Sequence, residues 1–217
     1  MVHRAHLAVC GVWARHTVSA NPSVTVMCLP FLSPEECTAI VEALTASDWS
    51  AGAIALPTDE ASPEAKTIRS CDVNSSVAQD LQERLGVALR ALNAGMYRFE
   101  LSSGWHAQDP VTAMRYRVGD HFDWHMDNAA LVPPFNTRKL SVSVQLTDAE
   151  RYEGGDLEFA MTELADYGRQ AATQQRQAAR QQGAMVVFPS FMMHRVSPVT
   201  AGERHALVGW LHGPAFR

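Results

Sequence analysis

The chain has 217 residues, 47% of them hydrophobic and 19% charged, with a formal net charge of −5. This is the composition of a single soluble globular domain over 1–217, long enough to bury a full core, and an acidic balance without a Lys/Arg run argues against a nucleic-acid binder, whose footprint is usually basic. No apolar run reaches the length of a membrane span, and the unclustered Cys10, Cys28, Cys37 and Cys71 read as reduced thiols of a cytoplasmic protein, not as a zinc site.

The opening "MVHRAHLAVCGVWARHTVSA" makes a poor secretory leader, because Arg15 and His16 follow only eight apolar residues. "SVTVMCL" (23–29) reads as a strand. "FLSPEECTAIVEAL" then opens a helix, with Ser33 as N-cap, Pro34 in the first turn and Glu36 closing a capping box. Residues 50–75, rich in Ala, Pro, Ser and Thr, read as a loop. "SSVAQDLQERLGVALRALNAG" is a second helix, with Ser76 and Gln79 as its capping box. Val77, Leu81, Leu85, Ala88 and Leu92 recur at helical spacing, and Asn93 and Gly95 offer a stop.

From there the pattern changes to period two. "YRFEL" (97–101), "AMRYRV" (113–118) and "KLSVSVQL" (139–146) alternate, the last with Ser141, Ser143 and Gln145 on one face and Leu140, Val142, Val144 and Leu146 on the other. "GDLEFAM" (155–161), "AMVVFPS" (184–190) and "HALVGWL" (205–211) complete a series of short strands. "ELADYGRQAATQQRQAARQQG" (163–183) has helix propensity but almost no apolar face, and reads as a solvated insertion rather than a lid. Two helices followed by many strands predict an α+β fold. The segment 23–95 supplies a strand and supporting helices, and 96–214 supplies a sandwich or barrel.

The chemistry concentrates in "GDHFDWHMDN" (119–128), which holds two H-x-D pairs in tandem, His121/Asp123 and His125/Asp127. In a strand, residues i and i+2 share a side, so H-x-D at a strand end aims an imidazole and a carboxylate at one point. Both pairs have this parity, and spacing alone leaves the choice open. A third ligand comes from "FPSFMMHRVSPVTAGERHALVGWLHGP", where His194 follows a strand and a Phe-Pro-Ser turn and Arg204 lies ten residues on. Two histidines and a carboxylate make the facial triad of non-haem Fe(II) oxygenases. An arginine is suited to gripping a carboxylate through paired hydrogen bonds.

Taken in order, "YRVGDHFDWHMD", "YEGGDLEF", "VVFPSFMMHRVSPVTAGER" and "ALVGWLHGP" resemble the 2-oxoglutarate- and Fe(II)-dependent dioxygenases, in particular the bacterial hydroxylases of the prolyl 4-hydroxylase-like branch. The likeness covers roughly 97–214, with a weaker match in "FLSPEECTAIV". It implies a double-stranded β-helix, or jelly-roll, core buttressed by the N-terminal helices. It also selects the register: Tyr116, Gly119 and Phe122 match the residues that precede the family's H-x-D, which makes His125, Asp127 and His194 the expected metal ligands.

Arg204 is then the expected partner of the far carboxylate of 2-oxoglutarate. Tyr116, Gln145 and Trp210 are expected around the cosubstrate. The cofactors implied are Fe(II), 2-oxoglutarate and O2, with ascorbate as an auxiliary. The reaction implied is hydroxylation of an unactivated C–H in a prolyl, peptidyl or small amino-acid-like substrate, with release of succinate and CO2. Asp127 favours hydroxylation over halogenation, because halogenases of this superfamily carry a small residue there. Trp210 stands where nucleic-acid demethylases of the superfamily carry a second Arg. A non-catalytic metal- or ligand-binding barrel is the competing class. Arg69, Arg115, Arg117 and Arg138 are the basic residues available to an acidic substrate, although most such arginines only solvate a surface.

Overall fold

The computed structural model describes residues 25–52, 68–129, 133–160 and 179–216. In chain order the elements are β1 (Met27–Pro30), α1 (Pro34–Thr45), β2 (Ser50–Ala51), β3 (Arg69–Ser70), β4 (Asp72–Asn74), α2 (Gln79–Leu92), β5 (Thr112–Tyr116) and β6 (His121–His125). Then follow β7 (Arg138–Gln145), β8 (Tyr152–Gly154), β9 (Leu157–Phe159), β10 (Ala184–Pro189), β11 (His194–Val196), β12 (Val199–Gly202) and β13 (Arg204–His212). A seven-stranded sheet runs β1-β10-β7-β13-β5-β4-β2 and a four-stranded sheet runs β3-β6-β11-β9, with β12-β8 as a separate pair. All the strand pairs are antiparallel. Among the described residues no helix is long and apolar enough to cross a membrane.

The apolar face of β7 meets the helices. Leu140, Val142, Val144 and Leu146 share one buried cluster with Cys37 and Leu44 of α1, Leu81, Leu85 and Leu89 of α2, and Leu207 and Leu211 of β13. Each large aliphatic side chain taken fully out of water contributes about 1.5–3 kcal/mol, so this layer fixes how the large sheet sits on its helices. The opposite face of β7 is buried too, with Ser141 at 1% and Gln145 at 1% exposure. A polar face that is not solvated needs partners inside the fold, and these lie at the site described below.

Several expectations change in detail. The Ser33 capping box forms as read, with Ser33 Oγ accepting from the Glu36 amide and Glu36 accepting from the Ser33 amide. The Ser76/Gln79 box does not form. Helix α2 starts at Gln79 after an Ala78 N-cap without a side-chain bond, and the Ser76 amide donates instead to Asn74 Oδ1 at 2.8 Å. At its far end the chain continues into a π-turn, Asn93–Tyr97, rather than stopping. "YRFEL" is not a strand, because the Asn93 side chain brackets Phe99, accepting from its amide and donating to its carbonyl, both at 2.9 Å. That gives Phe99 the two bonds a neighbouring strand would supply.

The 50–75 loop contains β2, β3 and β4, whose two or three residues are too short to show a period; β2 pairs with β4, and β3 and β4 pair with β6 and β5 far along the chain. Residues 53–67 of that loop lie outside the described residues, as do 163–178 of the insertion. The insertion's end is anchored: Arg180 donates to the carbonyls of Ala149, Tyr152 and Gly154 and pairs with Asp156 at 2.8 Å. Cys28, Cys37 and Cys71 are free thiols, and Cys10 lies outside the described residues.

Candidate metal and cosubstrate site

Two of the three expected ligands come from facing strands of the smaller sheet. The β11–β6 register sets His194 directly opposite His125, with ring centroids 4.2 Å apart. Asp127 lies two residues past the end of β6, and its carboxylate reaches both rings, Oδ1 to His125 Nε2 at 3.7 Å and Oδ2 to His194 Nε2 at 3.6 Å. Among the described residues these three form a group whose ligand atoms lie within 4.8 Å of one another. His121 and Asp123 are outside it. His121 Nδ1 turns to the Gly119 carbonyl, and Asp123 Oδ1 accepts the neighbouring Trp124 amide on an exposed turn of strand.

The tautomers follow from the backbone. His125 Nδ1 sits 2.7 Å from the Asp123 carbonyl, and His194 Nδ1 sits 2.9 Å from the Met192 carbonyl. A carbonyl only accepts, so each proton lies on Nδ1 and each Nε2 keeps its lone pair toward Asp127. Burial pushes the His194 pKa down, which favours the neutral ring a metal needs. For Asp127, burial alone would raise the pKa. Before a metal binds, positive charge on the His194 and His125 rings when they are protonated, together with the Arg138 guanidinium, outweighs it and holds the carboxyl well below the usual range. The Asp127 carboxylate is also held by Ser141, whose hydroxyl donates to Oδ2 at 2.6 Å and lies 3.0 Å from Ser190 Oγ.

The large sheet supplies the other half of the site. Arg204 opens β13 opposite Tyr116 of β5, is 3% exposed, and lies with its guanidinium carbon 5.4 Å from the Tyr116 ring centre. Its Nε donates to Gln145 Oε1 at 3.0 Å, and Gln145 Nε2 donates in turn to the Thr147 carbonyl. Among the described residues no carboxylate forms an ion pair with Arg204. Its side chain passes close to the second glycine of "YEGGDLEF". Gly155 has φ +61°, and a Cβ there would meet Val199 Cγ2 at 2.9 Å and Arg204 Cδ at 3.1 Å.

The triad and Arg204 line one cleft of about 430 Å³, counting its open mouth, whose other walls include Tyr116, Phe122, Leu157, Phe188, Val208 and Trp210. Gln145 is not on that wall; it sits behind Arg204. Tyr116 is buried, and burial pushes its phenol pKa up, so it stays protonated. The basic residues noted for an acidic substrate are all engaged: Arg69 donates to Cys71 Sγ and Met114 Sδ and lies over the Phe122 ring. Arg115 and Arg117 pair with Asp72, and Arg138 pairs with Asp109. Phe122, its ring stacked 3.5 Å from His125, and Ser190, 3.0 Å from Ser141 Oγ, lie within the motifs, whereas Ser141 and Arg138 are site neighbours to which no motif assigned a role. For Ser141 the one signal in the sequence was its place with Ser143 and Gln145 on the polar face of β7.

Residues 111–212 match the family model of the 2OG-Fe(II) oxygenase superfamily. A PKHD-type hydroxylase of Pseudomonas putida is 32% identical over 180 residues, covering 81% of this chain and 73% of the relative. This chain belongs to the 2-oxoglutarate/Fe(II) oxygenases, among the PKHD-type hydroxylases. A PKHD-type hydroxylase of Azoarcus sp. is 30% identical over 178 residues, covering 81% of this chain and 72% of that one. The fold is shared with solved structures. A viral collagen prolyl hydroxylase from Paramecium bursaria Chlorella virus-1, in complex with 2-oxoglutarate, matches with a TM-score of 0.58 at 14% identity, over 90% of this chain and 99% of that one. A Trichoplax adhaerens prolyl hydroxylase in complex with a hypoxia-inducible-factor peptide fragment matches with a TM-score of 0.60 at 15% identity, over 86% and 83%. The sheets described above are therefore those of the oxygenase jelly roll.

As a member of this family the protein is a 2-oxoglutarate-dependent oxygenase that uses Fe(II), 2-oxoglutarate and O2. The His125–Asp127–His194 donor set fits such an iron. Two neutral imidazoles and one carboxylate give the required ligand types. Their ligand atoms lie within 4.8 Å of one another, close enough for the three side chains to share one ion.

Proposed function

We propose that the protein hydroxylates an unactivated C–H of a prolyl, peptidyl or small amino-acid-like substrate while converting 2-oxoglutarate to succinate and CO2. In this reading His125, Asp127 and His194 hold Fe(II), and Arg204 pairs with the far carboxylate of 2-oxoglutarate. The observation that carries it is the buried Arg204 guanidinium, which faces the same cleft as the triad and has no acidic partner among the described residues. An isolated buried cation costs several kcal/mol, and a dicarboxylate cosubstrate removes that cost on binding.

When bound, the iron supplies O2 activation and C–H oxidation. The chain supplies the rest. His125 and His194 present Nε2 because their Nδ1 protons are held by backbone carbonyls. Gln145 fixes the Arg204 fork by taking its Nε–H, which leaves the two terminal nitrogens for a carboxylate. Tyr116 stays protonated as a hydrogen-bond donor at the cleft wall. Leu157, Phe188, Val208 and Trp210 keep water from the reacting carbon and suit an aliphatic ring or chain.

Anaerobic titration with Fe(II) and 2-oxoglutarate, watched for the visible iron-to-cosubstrate charge-transfer band, tests the assignment. The band is expected in wild type and in His121→Ala, absent in His125→Ala and weakened in Arg204→Ala. A band lost in His121→Ala but kept in His125→Ala would place the ligands in the other register. Succinate release then screens peptidyl-proline against free amino acids.

A further inference from the structure

Arg138 opens β7, and the function proposed above does not use it. Its side chain is only 11% exposed, so it is not a solvating arginine. Asp109 grips it in a two-pronged pair, Nε to Oδ2 and Nη2 to Oδ1, both at 2.7 Å. Asp109 is itself fixed by His212, whose Nε2 lies 3.0 Å from Oδ2, while His212 Nδ1 lies 2.9 Å from Thr137 Oγ1. The guanidinium also stacks on Trp210, its carbon 3.6 Å from the ring centre. One nitrogen remains. Nη1 points at Asp127, 3.3 Å from its backbone carbonyl and 3.9 Å from Oδ1.

Asp127 needs such support. It lies beyond β6, and Ser141 braces its Oδ2, which leaves Oδ1 to His125 and Arg138. A buried chain of charged groups is costly to maintain and by itself is weak grounds for stability. This chain ends on a residue of the triad and on a wall of the cleft. We propose that Arg138, locked by Asp109 and His212, is a positioning residue that holds Asp127 at the metal and backs Trp210. The inference rests on reading His125, Asp127 and His194 as the metal ligands. Outer partners of metal ligands fix the geometry that the ligands present, and losing one typically costs roughly 10- to 100-fold in metal affinity.

The test is Mn(II) affinity of the full-length metal-free protein, measured by electron paramagnetic resonance of free Mn(II), with melting temperature recorded beside it. Wild type is compared with Arg138→Gln, Arg138→Lys, Asp109→Asn, the Arg138→Gln/Asp109→Asn double variant, and His125→Ala. Arg138→Gln and Asp109→Asn are each expected to weaken Mn(II) by roughly 10- to 100-fold. The double variant is expected to be no worse than the poorer single one, because both break the same chain of contacts. Arg138→Lys keeps the charge, falls between, and serves if Arg138→Gln does not fold. Mn(II) affinity within about twofold of wild type in the folded Arg138 variants, with only the melting temperature lowered, overturns the proposal and leaves Arg138 a structural residue. If His125→Ala binds Mn(II) as wild type does, the ligand assignment itself falls, and this inference falls with it.

Discussion

Replacing Arg204 by Met separates a functional cation from a structural one, because the two roles predict opposite signs. Arg204 is 3% exposed, and its contacts among the described residues are one hydrogen bond to Gln145 and the face of Tyr116. Without cosubstrate the protein therefore carries a buried charge with little compensation. Exchanging buried ionic groups for apolar side chains of similar volume is often neutral or stabilising by about 1–4 kcal/mol. Part of that is lost here, since Gln145 Oε1 gives up its donor, a cost of about 1–3 kcal/mol. The cosubstrate-free protein should thus melt within a few degrees of wild type.

Binding of 2-oxoglutarate should suffer far more. Truncating one partner of a buried, hydrogen-bonded charge pair costs about 2–5 kcal/mol, or roughly 30- to 5,000-fold in dissociation constant. The assay is calorimetric titration of 2-oxoglutarate into the Mn(II)-loaded protein without O2, paired with thermal melting of the unloaded protein. A change in 2-oxoglutarate affinity below about threefold, together with a fall of several kcal/mol in stability, would refute the reasoning. It would show that Arg204 is a core cation satisfied by Gln145 and Tyr116 alone.

Ser141→Ala removes the hydroxyl that donates to Asp127 Oδ2 at 2.6 Å; metal affinity should fall by roughly 10-fold or more, read by Mn(II) titration, with little change in melting temperature. Gly155→Ala puts a Cβ at φ +61° against Val199 and Arg204; it should cost about 1–3 kcal/mol of stability in chemical denaturation and weaken 2-oxoglutarate binding by displacing Arg204. Burial pushes the Cys28 and Cys37 thiols up to about 11. An acid whose folded pKa is raised keeps its proton longer than the unfolded chain does, so stability is intact below the ordinary thiol value and declines as pH rises from there through 11. Denaturant midpoints measured across pH 8–11 check this, and the same thiols should resist alkylation in the native protein.

Much of the strand order was readable because β7, β10 and β13 are long enough for their alternation to show. The short strands were not, because β2, β3, β4 and β8 have two or three residues and exist only through partners distant in sequence. The failed Ser76 cap has a different, local origin: the Asn74 side chain two residues back accepts the Ser76 amide in place of Gln79. At the site, spacing could not choose between two H-x-D pairs of equal parity. What separates them in space is the β11–β6 register, which lies in no local pattern. Arg138 illustrates the limit from the other side. Its neighbours Asp109, Asp127 and Trp210 are scattered over a hundred residues, so its sequence context looks like that of any strand-end arginine.

In the proposed reading the two sheets divide the task of recognising a 2-oxo dicarboxylate. The smaller sheet carries His125 and His194 on paired strands, and the larger carries Arg204, Gln145 and Tyr116 on β13, β7 and β5. One end of the cosubstrate would be held from one sheet and the far carboxylate from the other, so the spacing between the sheets becomes a ruler for its length. That spacing is set by packed core and not by a loop, because β7 and β13 are fixed against the helices through Val144, Leu207 and Leu211. Asp127 is the element that joins the halves. It follows a strand of the smaller sheet yet is braced by Ser141 and Arg138, both on β7 of the larger. A shift of one sheet against the other would therefore disturb the metal ligands and the cosubstrate anchor together, which ties the accuracy of the chemistry to the rigidity of the fold.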